Sequence, residues 1–366
     1  MKCSISNIAN VISESIPNPA ESGFDIFVGL EHYDSGEVKI TRYGSTQNLV
    51  TAVKVFRKGD ILLARRNVYL KRAGLVDFDG VTSGDSIVLR VKDNLSSLTL
   101  QSEDIRMYLP FVLNTEEFWN YAEKYSDGTM SKRLSPKTLL QYEFDIPDDV
   151  TEKNRLLWQA YKTKESYKAM ILATDEMVKS QFIEMFGNPM VDEQKYPLKR
   201  LGDCCVINPK RSKVTISDSD PVSFVPMPSV SEEGYLQDVS DSEYDSVKKG
   251  FTYFENGDVL FAKITPCMEN GKGAIAHDLT NGIGMGSTEF HVLRPIDGKS
   301  NSYWLFTLTK LPEFREKAAH NMSGTGGQQR VRADFLENFM IGLPPIELQN
   351  DLESICRQAD KSKYLS

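Results

Sequence analysis

The chain has 366 residues, 26% of them charged, and a formal net charge of −8. That length exceeds what one hydrophobic core usually serves, roughly 250 to 300 residues, so two domains are expected. The acidic balance argues against a protein that coats nucleic acid indiscriminately, because such binding comes from neutralising phosphates with Lys and Arg. No run approaches the ~18 apolar residues of a bilayer-spanning helix, and Met1–Ile16 lacks the pattern of a secretory signal. A cytoplasmic protein without a membrane partner is expected.

In chain order, the first landmark is Phe27-Val28, followed by Asp34-Ser35-Gly36. Lys58-Gly59-Asp60 then reads as a turn feeding the apolar run Ile61-Leu62-Leu63-Ala64, since Gly tolerates the positive φ such turns need. Ser83 precedes a strand at Ile87-Val88-Leu89, and Thr115-Glu116-Glu117-Phe118-Trp119 resembles a helix start with acidic residues in its first turn. Gly128-Thr129 and the closing Phe144-Asp145-Ile146-Pro147 complete this first stretch.

From Pro147 to Phe186 no further Pro or Gly interrupts a composition rich in helix formers, and Gly187-Asn188-Pro189 supplies the stop. One long helix is predicted. Its stripe of Leu157, Ala160, Tyr161, Tyr167, Met170, Ile171, Val178, Phe182 and Met185 is interrupted by Lys164 and Thr174.

The same landmarks then recur. Phe224-Val225 precedes Glu232-Glu233-Gly234, and Asn256-Gly257-Asp258-Val259-Leu260-Phe261-Ala262-Lys263 matches Lys58 to Arg65. Ser287 with Val292-Leu293-Arg294 matches Ser83 with Val88-Leu89-Arg90, Gly324-Thr325 matches Gly128-Thr129, and Ile341-Gly342-Leu343-Pro344 closes the second half. The offset stays near two hundred residues, which marks duplication of a whole domain plus spacer. After Pro344-Pro345, Leu348, Leu352, Ile355 and Ala359 form a second helical stripe about half as long as the first. The expected architecture is α+β. Two duplicated mixed domains, 1–147 and 188–344, alternate with a spacer helix over 148–187 and a short one over 345–366. The helices would pair as an antiparallel coiled coil with pseudo-twofold symmetry.

Catalytic signatures are weak throughout. Asn208-Pro209-Lys210 and Asn188-Pro189-Met190 lack the second proline and the aromatic of a base-holding methyltransferase loop. Gly271-Lys272-Gly273 lacks the spacing of a nucleotide-binding loop. The five cysteines contain no Cys-x-x-Cys, and the four histidines form no ligand pairs, so neither a disulfide framework nor a metal centre is indicated.

What remains are groups suited to nucleic acid, since Arg and Lys donate to guanine while Gln pairs with adenine, and all hold phosphates. One set follows each Gly-Asp turn: Arg65, Arg66, Tyr69 and Lys71 in the first copy, Lys263 and Thr265 in the second. Another accompanies each Gly-Thr pair: Lys132 and Arg133 in the first copy, Gln328, Gln329, Arg330 and Arg332 in the second. The bland alternatives are solvated strand faces and a flexible loop.

The Gly-Asp-Ile/Val-Leu-x-x-Arg/Lys turn, Leu201-Gly202-Asp203 with Asn208-Pro209-Lys210, the helix end Ser180 to Gly187, and Leu343-Pro344-Pro345-Ile346-Glu347-Leu348-Gln349 together resemble type I restriction-modification specificity subunits. The resemblance implies a non-catalytic subunit whose two target recognition domains read the parts of a bipartite, gapped site in double-stranded DNA. It implies docking to two modification subunits, which carry the methyltransferase chemistry, and to motor-nuclease subunits. S-adenosylmethionine, ATP and Mg would sit on those partners, with no cofactor on this chain. The short second helix departs from the family's longer closing segment. A self-contained nucleic-acid-modifying enzyme and a coiled-coil interaction scaffold are the competing readings.

Overall fold

The computed structural model describes all residues except 20–21, 129–130, 189–194, 212–215, 325–326 and 365–366; for 361–364 it describes the backbone alone. Thr129, Pro189, Met190 and Thr325 of the sequence motifs thus lie outside the described residues. The chain divides into two compact units, Met1–Lys164 and Glu165–Ser366.

In the first unit a four-stranded antiparallel sheet runs in the order Ala9–Ile12, Ser86–Val91, Ile61–Ala64, Ala73–Leu75. The second unit repeats that order with Cys205–Ile207, Phe290–Pro295, Val259–Ala262 and Gly273–Ile275. Register is kept as well: Leu89 faces Ile61 as Leu293 faces Val259. A second sheet in each unit contains one parallel pair. Ile26–Val28 lies beside Gly80–Thr82, which pairs antiparallel with Val53–Phe56; Pro221–Val225 lies beside Ile283–Gly286, which pairs antiparallel with Thr252–Glu255.

The continuous apolar runs after the Gly-Asp turns follow from burial of both faces of the first sheet. Successive strand residues point to opposite sides. Ile61 and Leu63 enter the core beneath the helices, while Leu62 and Ala64 enter the core between the sheets. Val259 and Phe261 divide from Leu260 and Ala262 in the same way. The helices Ser102–Val112 and Glu116–Lys124 cover the first sheet with Ile105, Leu109, Phe118 and Trp119. Ser302–Lys310 and Pro312–His320 cover the second with Trp304, Leu305, Leu308 and Phe314. Thr115 caps its helix by accepting from the Phe118 amide at 3.2 Å, as its place before two glutamates predicts.

The Gly-Asp motif has a second purpose that the turn alone does not reveal. Gly59 and Gly257 have φ of 88° and 90°, the conformation that favours glycine. The aspartates that follow are buried, with side chains only 2% exposed. Asp60 accepts from the Arg57 amide at 2.8 Å and from Nε and Nη2 of Arg90, both at 2.7 Å. Asp258 accepts from the Glu255 amide at 2.8 Å and from Nε and Nη2 of Arg294 at 2.8 and 2.7 Å. A buried carboxylate is tolerated only when paired and hydrogen-bonded, so the arginine closing Val-Leu-Arg is the obligate partner of the aspartate opening the neighbouring strand.

The long helix spans Val150–Phe186 and the closing helix Ile346–Tyr364. Their apolar stripes differ in detail from the sequence pattern. In the first unit the long helix buries Val150, Asn154 and Trp158, the last donating from Nε1 to the Met107 carbonyl at 3.0 Å. In the second unit it buries Phe182 and Phe186, whereas Tyr167, Met170, Leu172 and Met177 stay exposed. The closing helix buries Leu352, Cys356 and Ala359 together with the polar Gln349. Gln349 is satisfied there: its amide nitrogen donates to the carbonyls of Lys299 and Pro344 at 2.9 and 3.0 Å, and its oxygen accepts from the Asn301 amide at 3.1 Å. All five cysteines are free thiols. No helix among the described residues is long and apolar enough to cross a membrane.

Candidate nucleic-acid interface

The two residue sets that the sequence keeps some sixty residues apart meet in each unit. In the first, the strand Ile61–Ala64 continues into Arg65-Arg66-Asn67, which runs antiparallel to Lys132-Arg133-Leu134. The Asn67 amide donates to the Lys132 carbonyl and the Leu134 amide to the Arg65 carbonyl, each at 2.9 Å. In the second unit Lys263-Ile264-Thr265 meets Gln329-Arg330-Val331 with the same bonds: Thr265 amide to Gln329 carbonyl at 3.0 Å, Val331 amide to Lys263 carbonyl at 2.9 Å. Met322–Ser323 pairs antiparallel with Arg330–Val331 on the two sides of the Gly324 segment.

A carboxylate that sequence reasoning passed over sits in each edge. The Arg65 amide donates to the Asp85 carbonyl and the Lys263 amide to the Glu289 carbonyl, both at 2.9 Å, so the two acids are equivalent. Asp85 lies 3.5 Å from Nη1 of Arg66 and 3.6 Å from Nη2 of Arg133. Glu289 is held more tightly, accepting from Nε and Nη2 of Arg330 at 2.9 and 2.8 Å. The Arg330 guanidinium holds the Glu289 carboxyl below the usual glutamate range. Burial lowers the affinity of the neighbouring Lys263 for its proton. Lys54, also absent from the sequence candidates, flanks the first edge and donates to the carbonyls of Gly84 and Ser86 at 3.1 and 2.7 Å. The signal for the acids was present: Asp85 and Glu289 each stand two residues after the matched serines Ser83 and Ser287.

Three candidates lie apart from these edges. Lys71, with φ of 48°, is tied to Glu116 at the start of a helix, its ammonium 2.5 and 2.7 Å from the carboxylate oxygens. Arg332 donates from Nε and Nη2 to Asp334 at 3.0 and 2.6 Å. Tyr69 projects into solvent at 60% exposure from the short turn Val68–Leu70.

Behind the second edge, His291 is buried and bridges it to the sheet. Its Nε2 lies 2.8 Å from the Val331 carbonyl and its Nδ1 3.0 Å from Nδ2 of Asn208. Burial pushes the imidazole below its ordinary value, so it stands neutral, donating from Nε2 and accepting at Nδ1. Arg66, Arg133, Gln328 and Gln329 are exposed, and Arg65, Lys132, Lys263 and Arg330 half-buried. Each edge thus presents donors on a strand pair to an outside partner.

Residues 193–362 match the type I restriction modification DNA specificity domain. Over that segment the chain is similar to type I DNA specificity domains. The resemblance drawn from the residue patterns thus holds over most of the second unit. Specificity subunits of the Escherichia coli type I restriction enzymes EcoAI and EcoEI are similar to this chain, at 40% identity over 169 residues and 41% over 146. Those matches take in 44% and 40% of this chain but only 28% and 24% of the relatives, so they span about a quarter of the relatives' length. Among solved structures, the S subunit of a type I restriction-modification system from M. genitalium shares the fold. It has a TM-score of 0.51 at 12% identity and covers all of this chain and 90% of the other. The register between Val259–Ala262 and Phe290–Pro295 recurs between Ile61–Ala64 and Ser86–Val91, which the family match does not reach.

Proposed function

We propose that the chain recognises DNA sequence for a type I restriction-modification assembly, each unit reading one part of an interrupted site. The observation that carries this is the pair of equivalent edges, Arg65-Arg66 against Lys132-Arg133 and Lys263-Ile264 against Gln329-Arg330, built on one backbone pattern with different side chains. A shared backbone frame places the donors; unlike side chains on it favour unlike base sequences. In this reading the chain contributes no catalytic group. It docks modification subunits that transfer methyl groups from S-adenosylmethionine to adenine, and motor-nuclease subunits that use ATP and Mg. The exposed Tyr167, Met170, Leu172 and Met177 on the long helix favour a protein partner along that element.

The test is to express the chain in a cell together with its modification subunit and map methylated adenines across the genome. A single motif of two fixed parts around a gap of constant length is expected. Methylation without a motif, from a complex that purifies intact, would contradict the reading.

A further inference from the structure

An anion placed within a surface that must meet phosphates weakens non-specific binding, because it opposes the neutralisation that drives such binding. Both units nevertheless keep one at the same point of the edge, Asp85 and Glu289. In the second unit the partnership is geometrically complete. Glu289 takes Nε and Nη2 of Arg330 at 2.9 and 2.8 Å, while Nη1 donates to the Gln328 carbonyl at 3.2 Å. A guanidinium carries five N–H donors in a fixed plane. Three are thereby used, leaving one on each terminal nitrogen. The Arg330 side chain is 40% exposed, which leaves it open to an incoming duplex.

Two donors of one guanidinium, held in a fixed plane, match O6 and N7 of guanine in the major groove. A freely swinging arginine can satisfy any phosphate oxygen; one clamped along one edge and at its tip can satisfy only an acceptor pair at a set place. We propose that Glu289 is a positioning residue that fixes Arg330 to read a guanine in the second unit's part of the DNA site. Asp85, looser at 3.5 and 3.6 Å from two arginines, holds its partners less firmly. The proposal rests on the DNA-reading assignment above and specifies one base contact within it.

The experiment selects binders from a randomised double-stranded DNA pool with the full chain, and measures affinity for sheared mixed-sequence DNA over a salt series. The parent is expected to enrich a guanine that Arg330→Ala no longer prefers, a loss of roughly tenfold in discrimination at that base. Glu289→Gln should lose the same preference while binding mixed-sequence DNA more tightly, and Glu289→Asp should retain part of it. Arg330→Lys repeats the test without touching Glu289 and should also lose the preference. The proposal is overturned if Glu289→Gln, folded by its melting curve, still selects the guanine. It is equally overturned if Arg330→Ala weakens all sequences alike and lowers the salt slope by about one, the mark of a phosphate contact. A parent chain that enriches no motif would overturn the DNA-reading assignment along with it.

Discussion

The two units share their skeleton and part company at one edge. Each has the buried Asp-Arg pair, the same four-stranded order and the same strand-to-loop bridge. On that bridge the first unit places Arg65, Arg66, Lys132 and Arg133; the second places Lys263, Ile264, Gln329 and Arg330 at the matching positions. Beyond it, the first unit turns through Val68 and Lys71, the second through Met268 and Gly271, so that Tyr69 is exposed where the second unit exposes Glu269. The lesson is a division of labour: invariant interactions are inside and backbone-directed, and variation is confined to side chains facing out. The first edge is the more cationic, with four basic side chains; the second carries two, beside Ile264 and Gln329.

That comparison can be broken at its foundation. Asp60→Ala and Asp258→Ala should each destabilise the chain by about 2–3 kcal/mol, somewhat under the usual cost of breaking a buried pair because both arginines can rehydrate. Denaturant unfolding checks this, and a large effect in one unit alone would argue against a common framework. On the surface, Arg66→Ala with Arg133→Ala should lower the logarithmic salt dependence of DNA binding more than Lys263→Ala does, because two charges are removed rather than one. Equal slopes would remove the distinction between a cationic edge and a mixed one.

Acid should also separate the units. His291 is kept neutral by burial and stands where the first unit has Ile87. Because the unfolded chain takes up a proton near the ordinary value of 6.5 and the folded chain only below it, stability is unaffected above that pH. It declines as pH falls through the window beneath. His291→Asn should flatten that part of the melting-temperature profile, and an unchanged profile would show that the decline arises elsewhere. The smallest effects belong to Lys71→Ala and Arg332→Ala. Both cations are spent on neighbouring carboxylates at the surface, so melting temperature and DNA affinity should stay close to those of the parent.

Much of this was legible in the residues, because duplication writes each structural requirement twice. The Gly-Asp turns, the apolar strands after them, the helix start at Thr115 and the long helix all follow from local chemistry. Pairings across the sequence were not legible. Asp60 and Arg90, like Asp258 and Arg294, stand in separate motifs, and only the fold brings each pair together across neighbouring strands. The same holds for the edges: Arg66 and Arg133 are 67 positions apart by their numbers and adjacent in space. Helix periodicity located the stripes but not their register, because a satisfied Gln349 can be buried where a hydrophobic residue is expected, and Tyr167 and Met170 can stay exposed.

The most direct measurement is the methylated-adenine map of cells expressing the modification subunit with paired variants of this chain. Arg66→Ala with Arg133→Ala should relax one part of the interrupted motif and leave the other intact; Lys263→Ala with Arg330→Ala should do the reverse. If either pair blurred both parts together, or neither changed the motif, the assignment of one reading edge to each unit would be contradicted.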